Sequence, residues 1–140
     1  MRGRQVFMES LVAHGVERIF GNPGTTESPL LDALGSYPSI KYVTALQESG
    51  ALAAASYYAQ ASGRTGVVSL HVAPGLGNAL ANLHNAKKAR SPIVNVVGEH
   101  ATYHIQYNTP LTSDIAGIAR PVSHWVMGAP DAAYVGACAA

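Results

Sequence analysis

The fold is constrained most by an alternation of short β-prone runs, glycine-containing turns and helical runs, which occurs three times in succession. The β-prone runs are VERIF, IKYVTAL and GVVSLHV, and each leads through a turn into a helical segment. The apolar run PIVNVVG then predicts a fourth strand that is buried on both faces. Strands and helices that alternate across short loops predict an α/β fold, with a parallel sheet sandwiched between helices.

The boundaries follow from periodicity and from glycine stops. Four helices are predicted in the first two thirds of the chain: 4–14, 27–35, 48–62 and 78–89. Thr25 or Thr26 is expected to cap the second helix, Gly63 to close the third, and Asn78 is a candidate cap of the fourth. The run APGLG before Asn78 is predicted to be a loop.

After Gly98 the pattern is weaker. The sequence predicts a long loop over 99–113, a short helix over 114–119, a fifth strand over 121–127 and a helix from 131 to the last residue. A helix in an α/β sheet normally leads to another parallel strand. We therefore expect the domain to be incomplete before its last strand.

Composition bears on the kind of partner. Nine basic and eight acidic residues give a net charge of +1, which offers no electrostatic basis for binding nucleic acid or a membrane surface. Charged residues are 12% and hydrophobic residues 48% of the chain, so we expect a surface that meets another subunit, as in a homo-oligomer. The single cysteine, Cys138, is typical of a cytoplasmic protein. No segment is apolar over the roughly 18 to 20 residues that a membrane span needs.

One acidic residue has an unusual setting. Glu48 precedes the small and apolar run SGALAAASYYAQAS, and Arg64 is the only formally charged residue between Ser49 and Ala86. As a first-turn residue, Glu48 has an ordinary structural explanation in the helix dipole. A carboxyl in an apolar site is also suited to hold or exchange a proton, which is a catalytic property if a ligand binds there.

Three loops fall at the carboxyl ends of the predicted strands, where open parallel sheets bind ligands. They are GNPGTTE, LQE and HVAPGLGN. The first could cradle a phosphate or could simply be a tight turn, because it lacks the lysine of a phosphate-binding loop. The third resembles a dinucleotide fingerprint only in part, since Leu80 stands where a third glycine or alanine belongs.

The histidines also allow two interpretations. His100 and His104 stand four apart, as metal ligands on a helix can, but no third ligand is evident and no metal site is predicted. His71 differs from the others because it ends a buried strand and enters a glycine-containing run. It is either a structural histidine or a proton carrier.

Taken together, the three loops carry a family resemblance. FGNPGTTE, then ALQE followed by AAASYYAQASG, then LHVAPGLGNALANLHNAKKARSPIVNVVGEH resemble the N-terminal pyrimidine-binding domain of thiamine diphosphate enzymes. The chain is most similar to the benzoylformate decarboxylase branch and to acetolactate synthase large subunits. The resemblance covers essentially residues 1–140 and implies a flavodoxin-like three-layer fold.

The resemblance also implies residue roles. Glu48 matches the glutamate that hydrogen-bonds N1′ of the cofactor's aminopyrimidine and so promotes removal of the thiazolium C2 proton. His71 matches a histidine that relays protons to intermediates, and Thr25 matches a serine that contacts the substrate carboxylate. The remaining matches are loop positions that shape the cofactor pocket: Asn22, Pro23, Gly24, Gly75 and Asn78.

Two departures from the family pattern are visible. Ser56 and Tyr57 replace an acid and a glycine of the usual DGYA, and a tyrosine there is expected to disturb close packing. The GDG motif that holds the diphosphate and Mg²⁺ is absent from the sequence. The resemblance thus implies that the diphosphate and Mg²⁺ bind to a separate domain on a partner chain.

Three functions remain open from the sequence. The first is the pyrimidine-binding domain of a thiamine diphosphate-dependent 2-oxo acid decarboxylase or carboligase, inactive without its partner domain. The second is a non-catalytic interaction module or a truncated remnant of such an enzyme. The third, which rests on architecture alone, is a flavodoxin-like nucleotide binder.

Overall fold

The computed structural model describes residues 2–139. Within that range it has a four-stranded, all-parallel sheet with helices on both faces, which confirms the predicted fold class. The strands are β1 (Arg18–Gly21), β2 (Lys41–Thr44), β3 (Gly66–Leu70) and β4 (Ile93–Val97). The helices are α1 (Gly3–Ala13), α2 (Ser28–Leu34), α3 (Glu48–Ser62), α4 (Val72–Ala89), α5 (Thr102–Ile105), α6 (Ile115–Ala119) and α7 (Val135–Ala139), with 3₁₀ turns at Thr25–Glu27 and Arg120–Val122.

The strand order is β2-β1-β3-β4. The chain runs from β1 outward to β2 and then returns to place β3 on the other side of β1. This reversal makes the carboxyl ends of β1 and β3 a topological switch point, the usual place for a ligand in an open α/β sheet. Gly21, the last residue of β1, is paired with Thr44 of β2 and with Ser69 of β3.

Each face of the sheet has its own hydrophobic core, which gives the expected three layers. One core lies beneath α3 and α4, and it includes Phe20, Leu52, Val68, Leu70 and Leu76. The other lies beneath α1 and α2, and it includes Met8, Ile19, Ala33, Ile40 and Val67. Because β3 alternates between the cores, all five of its residues are buried.

Helix α3 has the limits that the sequence predicts. The Gln47 side chain caps its start by accepting hydrogen bonds from the amides of Ser49 and Gly50, at 2.8 and 3.3 Å. Gly63 ends it in the left-handed conformation, with φ 69°. Glu48 is therefore the first residue of the helix, at the carboxyl edge of the sheet.

The predicted loop 73–77 is wrong, because α4 already begins at Val72. Pro74 occupies the third position of this helix, where a missing amide hydrogen costs nothing. Asn78 is consequently inside α4 and does not cap it. Val72 itself has φ 44°, a left-handed conformation that is rare for a β-branched residue, and its side chain is fully buried.

The region after β4 also differs from the prediction. The predicted fifth strand over 121–127 does not form: Arg120–Val122 is a 3₁₀ turn, and the segment after it pairs with no strand among the described residues. Helix α6 and this turn pack on α4 instead. The predicted loop 99–113 contains α5. The last helix starts at Val135 rather than 131, and Ala140 lies outside the described residues.

The expected disturbance at Tyr57 is wrong. Tyr57 is 72% exposed, so its bulk lies outside the core of this chain. Ser56 is buried and donates a hydrogen bond to Ser91 Oγ at 2.9 Å, while the Gln60 amide donates to both hydroxyls. These polar contacts join α3 to the segment that leads into β4.

Several large apolar side chains face solvent. Among them are Leu46, Tyr103, Tyr107, Trp125 and Met127. In the part of the chain that the structure describes, no helix has both the length and the apolar character needed to cross a membrane.

Two leucines on either side of the start of α3 provide a test of the core. Leu52 is fully buried, and Leu46 is 98% exposed. We expect Leu52→Ala to lower the free energy of unfolding by about 2–5 kcal/mol, because it leaves a cavity between α3 and the sheet. Leu46→Ala should change it by less than about 0.5 kcal/mol. Urea denaturation followed by circular dichroism would measure both, and equal losses would contradict this packing.

Candidate functional site

The site is built where the carboxyl ends of β1 and β3 meet the start of α3. Asn22 to Glu27 follow β1, Glu48 opens α3 after β2, and His71 joins β3 to α4. All of these residues reach one edge of the sheet because the strands are parallel. Two carboxyl groups, Glu48 and Glu27, are buried there with only 6% and 5% of their surface exposed.

Glu48 is held by two neutral amides. Asn22 Nδ2 donates to Glu48 Oε1 at 3.2 Å, and Asn78 Nδ2 donates to Glu48 Oε2 at 3.0 Å. Each carboxylate oxygen therefore has a hydrogen bond, which offsets the cost of burying it. The loop after β1, the start of α3 and the second turn of α4 are joined through this one side chain.

No cation reaches Glu48 within the described residues. The basic residues nearest to it in sequence on either side are Lys41, at the amino end of β2, and Arg64, just before β3. Arg64 pairs with Glu17, whose pKa it lowers through a hydrogen bond and its positive charge. Gly75 lies against the carboxyl from α4. A Cβ at Gly75 would be 3.4 Å from both Glu48 Cγ and Glu48 Oε1, which is van der Waals contact, so this position borders the carboxyl directly.

Glu27 belongs to a second cluster, with His71. His71 Nδ1 lies 2.8 Å from Glu27 Oε2, and the Thr26 hydroxyl lies 3.2 Å from the same nitrogen. Glu27 Oε2 also accepts the Gly24 amide hydrogen at 2.8 Å, and Glu27 Oε1 accepts the hydroxyl of Thr26. Both carboxyl oxygens therefore have a hydrogen-bond donor in addition to the imidazole.

This arrangement determines which histidine nitrogen is free. A carboxylate accepts hydrogen bonds, so Nδ1 of His71 carries hydrogen and donates it to Glu27. Nε2 of the neutral ring then has an available lone pair, and it can take up a proton and release it again. Glu27 would stabilise the resulting imidazolium.

Two glycines allow this cluster to pack closely. A Cβ on Gly24 would overlap the His71 ring, and a Cβ on Gly98, after β4, would overlap the Glu27 carboxyl. The requirement at both positions is close approach and not an unusual backbone conformation. Any side chain at either position would displace the Glu27–His71 pair.

Neither threonine caps α2, contrary to the prediction. Thr25 and Thr26 lie in the 3₁₀ turn, and Glu27 reaches back to the amide of Gly24 in the manner of one half of a capping box. Thr26, rather than Thr25, contacts His71. Pro23, predicted as a cofactor residue, lies between Asn22 and Gly24 and contributes the rigid backbone of the turn.

Thr25 lies beside an open pocket of about 540 Å³. Its walls are formed by Thr25, Thr26, Pro29, Glu99, His100, Ala101, Tyr103 and His104. The His100 and His104 rings meet edge to face, with centroids 5.7 Å apart. Among residues 2–139, no group of three or more histidine, cysteine or acidic side chains is arranged to hold a metal ion.

Sequence reasoning missed Glu27 as a site residue. It was visible in GNPGTTE, yet its apparent role was to begin a helix. The available signal was its position, because an acid three residues after a glycine in a strand–turn–helix connection can bond back to the glycine amide. Its pairing with His71 could not be predicted from sequence, since 44 positions separate the two residues.

Comparison with known proteins gives the same family from sequence and from structure. Residues 1–121 match the family model described as thiamine pyrophosphate enzyme, N-terminal TPP binding domain. A Mycobacterium tuberculosis protein named as an acetolactate synthase large subunit, IlvX, is 50% identical over 137 residues, which is 98% of this chain and 27% of that protein. Benzoylformate decarboxylase of Pseudomonas aeruginosa is 35% identical over 119 residues, 84% of this chain and 22% of that enzyme.

A solved structure agrees closely. The thiamine diphosphate-dependent 4-hydroxybenzoylformate decarboxylase of Rhodococcus jostii matches with a TM-score of 0.93 and 31% identity, over 99% of this chain and 26% of that one. The chain therefore spans about a quarter of the length of these relatives. Its sequence and fold together show that it belongs to the family of thiamine diphosphate enzymes, as an N-terminal cofactor-binding domain.

Proposed function

We propose that residues 1–140 are the pyrimidine-binding domain of a thiamine diphosphate-dependent 2-oxo acid decarboxylase or carboligase. The proposal depends above all on Glu48, a buried carboxyl with two amide donors and no cationic partner among the described residues. A carboxyl of this kind can share a proton with a neutral nitrogen heterocycle. A carboxylate paired with lysine or arginine would be held in its charged form.

The residues around Glu48 fit the aminopyrimidine end of the cofactor. Asn22 and Asn78 fix the direction of the carboxyl, and Gly75 leaves room beside it. When bound, thiamine diphosphate would supply a carbon nucleophile toward 2-oxo acids and an electron sink for their decarboxylation. The part of this chain is to orient the pyrimidine and to hold or move a proton at Glu48.

His71 is the second proton-handling group in this proposal. Glu27 orients its ring and leaves Nε2 available to exchange a proton with a substrate-derived group. Thr25 lines the pocket beside this pair and is the candidate contact for the substrate carboxylate. The loop residues Pro23 and Gly24 connect β1 to the turn that carries Thr25.

The partner in this proposal is a diphosphate-binding domain on another chain, which would hold the diphosphate and Mg²⁺. The active site would then lie between two chains in a homo-oligomer, dimeric or larger, in the cytoplasm. The intact hydrogen bonds around both buried acids support a working half-site over a non-catalytic remnant. The dinucleotide alternative loses support, because Gly75 and Gly77 lie inside α4 rather than in a turn.

Substitution of Glu48 tests the central role. In a complex of this chain with a diphosphate-binding domain, we expect Glu48→Gln to slow exchange of the cofactor's C2 proton for deuterium by about 10²- to 10⁴-fold. Proton NMR of quenched samples would measure the rate. Glu9→Gln, a change at an exposed acid of α1, serves as the matched control. Undiminished exchange in Glu48→Gln would contradict this role and leave Glu48 as a structural carboxylate at the start of α3.

The isolated chain provides a second test. We expect it to show no decarboxylation of 2-oxo acids with thiamine diphosphate and Mg²⁺, because it would supply only the aminopyrimidine half of the site. Adding the diphosphate-binding domain should restore turnover. Carbon dioxide release with benzoylformate and pyruvate would measure both. Turnover by the purified chain alone would refute the proposed division of the site.

A further inference from the structure

The start of α3 has a second contact with α4, one residue beyond Glu48. Asn82 Nδ2 donates hydrogen bonds to the backbone oxygen and to the hydroxyl oxygen of Ser49, both at 2.8 Å. Ser49 follows Glu48 directly in the first turn of α3, and Asn82 lies in the third turn of α4. Neither Ser49 nor Asn82 has a part in the function proposed above.

Asn82 belongs to a row of asparagines on α4. Asn78, which donates to Glu48, precedes it by four positions and therefore lies on the same face of the helix. Asn85 follows by three positions and donates to Asn82 Oδ1 at 3.3 Å. This bond engages the amide oxygen of Asn82 and leaves its nitrogen for Ser49. Through Asn78 and Asn82, α4 thus holds two consecutive residues of α3.

The apolar contacts between the two helices do not by themselves fix how far one lies along the other. Ala51 and Ala55 of α3 share a core with Ala79 and Leu83 of α4. Hydrophobic attraction has no direction, and small alanine side chains form only shallow ridges. Hydrogen bonds depend on both distance and angle. The bonds from the asparagines therefore have the geometry to fix the first turn of α3 against α4.

We infer that Asn82 is a positioning residue for Glu48, because by holding Ser49 it fixes the turn from which the carboxyl projects. Glu48 forms no ion pair among residues 2–139, so its direction depends on Asn22, Asn78 and the backbone that carries it. Displacement of a reacting group by about 1 Å can cost roughly 10²-fold in rate. The inference rests on the proposed function of Glu48, since a carboxyl that shares a proton with a ring nitrogen must be aimed at it.

A similar polar contact at the other end of α3 provides a matched control. The Gln60 amide donates to Ser56 Oγ and Ser91 Oγ at 3.1 and 3.0 Å, about 18 Å further along the helix axis than Glu48. Gln60→Ala and Asn82→Ala each remove one amide that donates to two acceptors. A general loss of stability would follow from either change, whereas displacement of Glu48 would follow only from Asn82→Ala.

One test observes the Asn78–Glu48 bond in the chain without cofactor. With the chain labelled with ¹⁵N, saturation transfer from water measures how fast the side-chain amide hydrogens of Asn78 exchange. We expect Asn82→Ala to raise this rate by about fivefold and Gln60→Ala to leave it unchanged. Asn82→Asp has nearly the same size but cannot donate, so it should raise the rate at least as much. An unchanged rate in Asn82→Ala or Asn82→Asp, or an equal rise in Gln60→Ala, would overturn the inference.

A milder variant keeps the inference testable if neither Asn82 variant folds. Ser49→Ala removes the hydroxyl acceptor and keeps the backbone oxygen to which Asn82 also donates. We expect it to raise the exchange rate of the Asn78 amide by about twofold. No rise in Ser49→Ala would overturn the inference.

A second test measures C2 proton exchange of the cofactor in the complex with a diphosphate-binding domain. We expect Asn82→Ala to slow this exchange by about tenfold and Gln60→Ala to leave it unchanged. If Glu48→Gln slows the exchange and Asn82→Ala does not, the inference fails and the proposed function stands. If Glu48→Gln has no effect, the proposed function fails, and the amide exchange of Asn78 still decides whether Asn82 positions Glu48.

Discussion

The burial of Glu48 against two asparagine amides is the interaction on which the rest of the site depends. Asn22 and Asn78 each donate a hydrogen bond to the carboxyl. A cation in their place would hold the carboxyl in its charged form, whereas these neutral donors do not. They also connect three segments that are distant in sequence, so the edge of the sheet is formed as one unit. Gly75 of α4 borders the carboxyl, and the Gln47 side chain caps the turn of α3 that carries it.

Two acids at one edge of the sheet have different partners and therefore different chemical capacities. Glu48 has only neutral donors, whereas Glu27 has an imidazole, an amide and a hydroxyl. In enzymes, two identical side chains can perform different proton-transfer steps when their environments differ in this way. The switch point between β1 and β3 makes this possible, because it brings loops from both halves of the sheet together.

Sequence periodicity was sufficient for the elements whose signals are local. Glu48–Ser62 was predicted because the alanine-rich run favours a helix and Gly63 follows its last turn, whereas the cap by Gln47 became visible only in the structure. The start of α4 was missed because Pro74 and two glycines are typical of a loop, although proline is tolerated in a first turn. The run 121–127 has strand propensity, but its first residues form a 3₁₀ turn that packs on α4, and it pairs with neither edge strand of the sheet, β2 or β4.

The site was predictable only where the resemblance supplied roles or where a residue was unusual in its surroundings. Glu48 stood out because it precedes a long apolar run. Glu27 did not, since its importance comes from its contact with His71, which follows a different strand. Such contacts depend on strand order, and strand order is a property of the folded chain.

The backbone at Val72 has a consequence for how this chain can change. A left-handed φ favours glycine at this position, but the side chain is completely enclosed and contributes to the core. Glycine would relieve the backbone and leave a cavity, while any other residue would keep the strain. The backbone at residue 72 thus favours glycine, while the core requires a side chain of the size of valine. We therefore expect few substitutions to be tolerated at this position, which follows His71 directly.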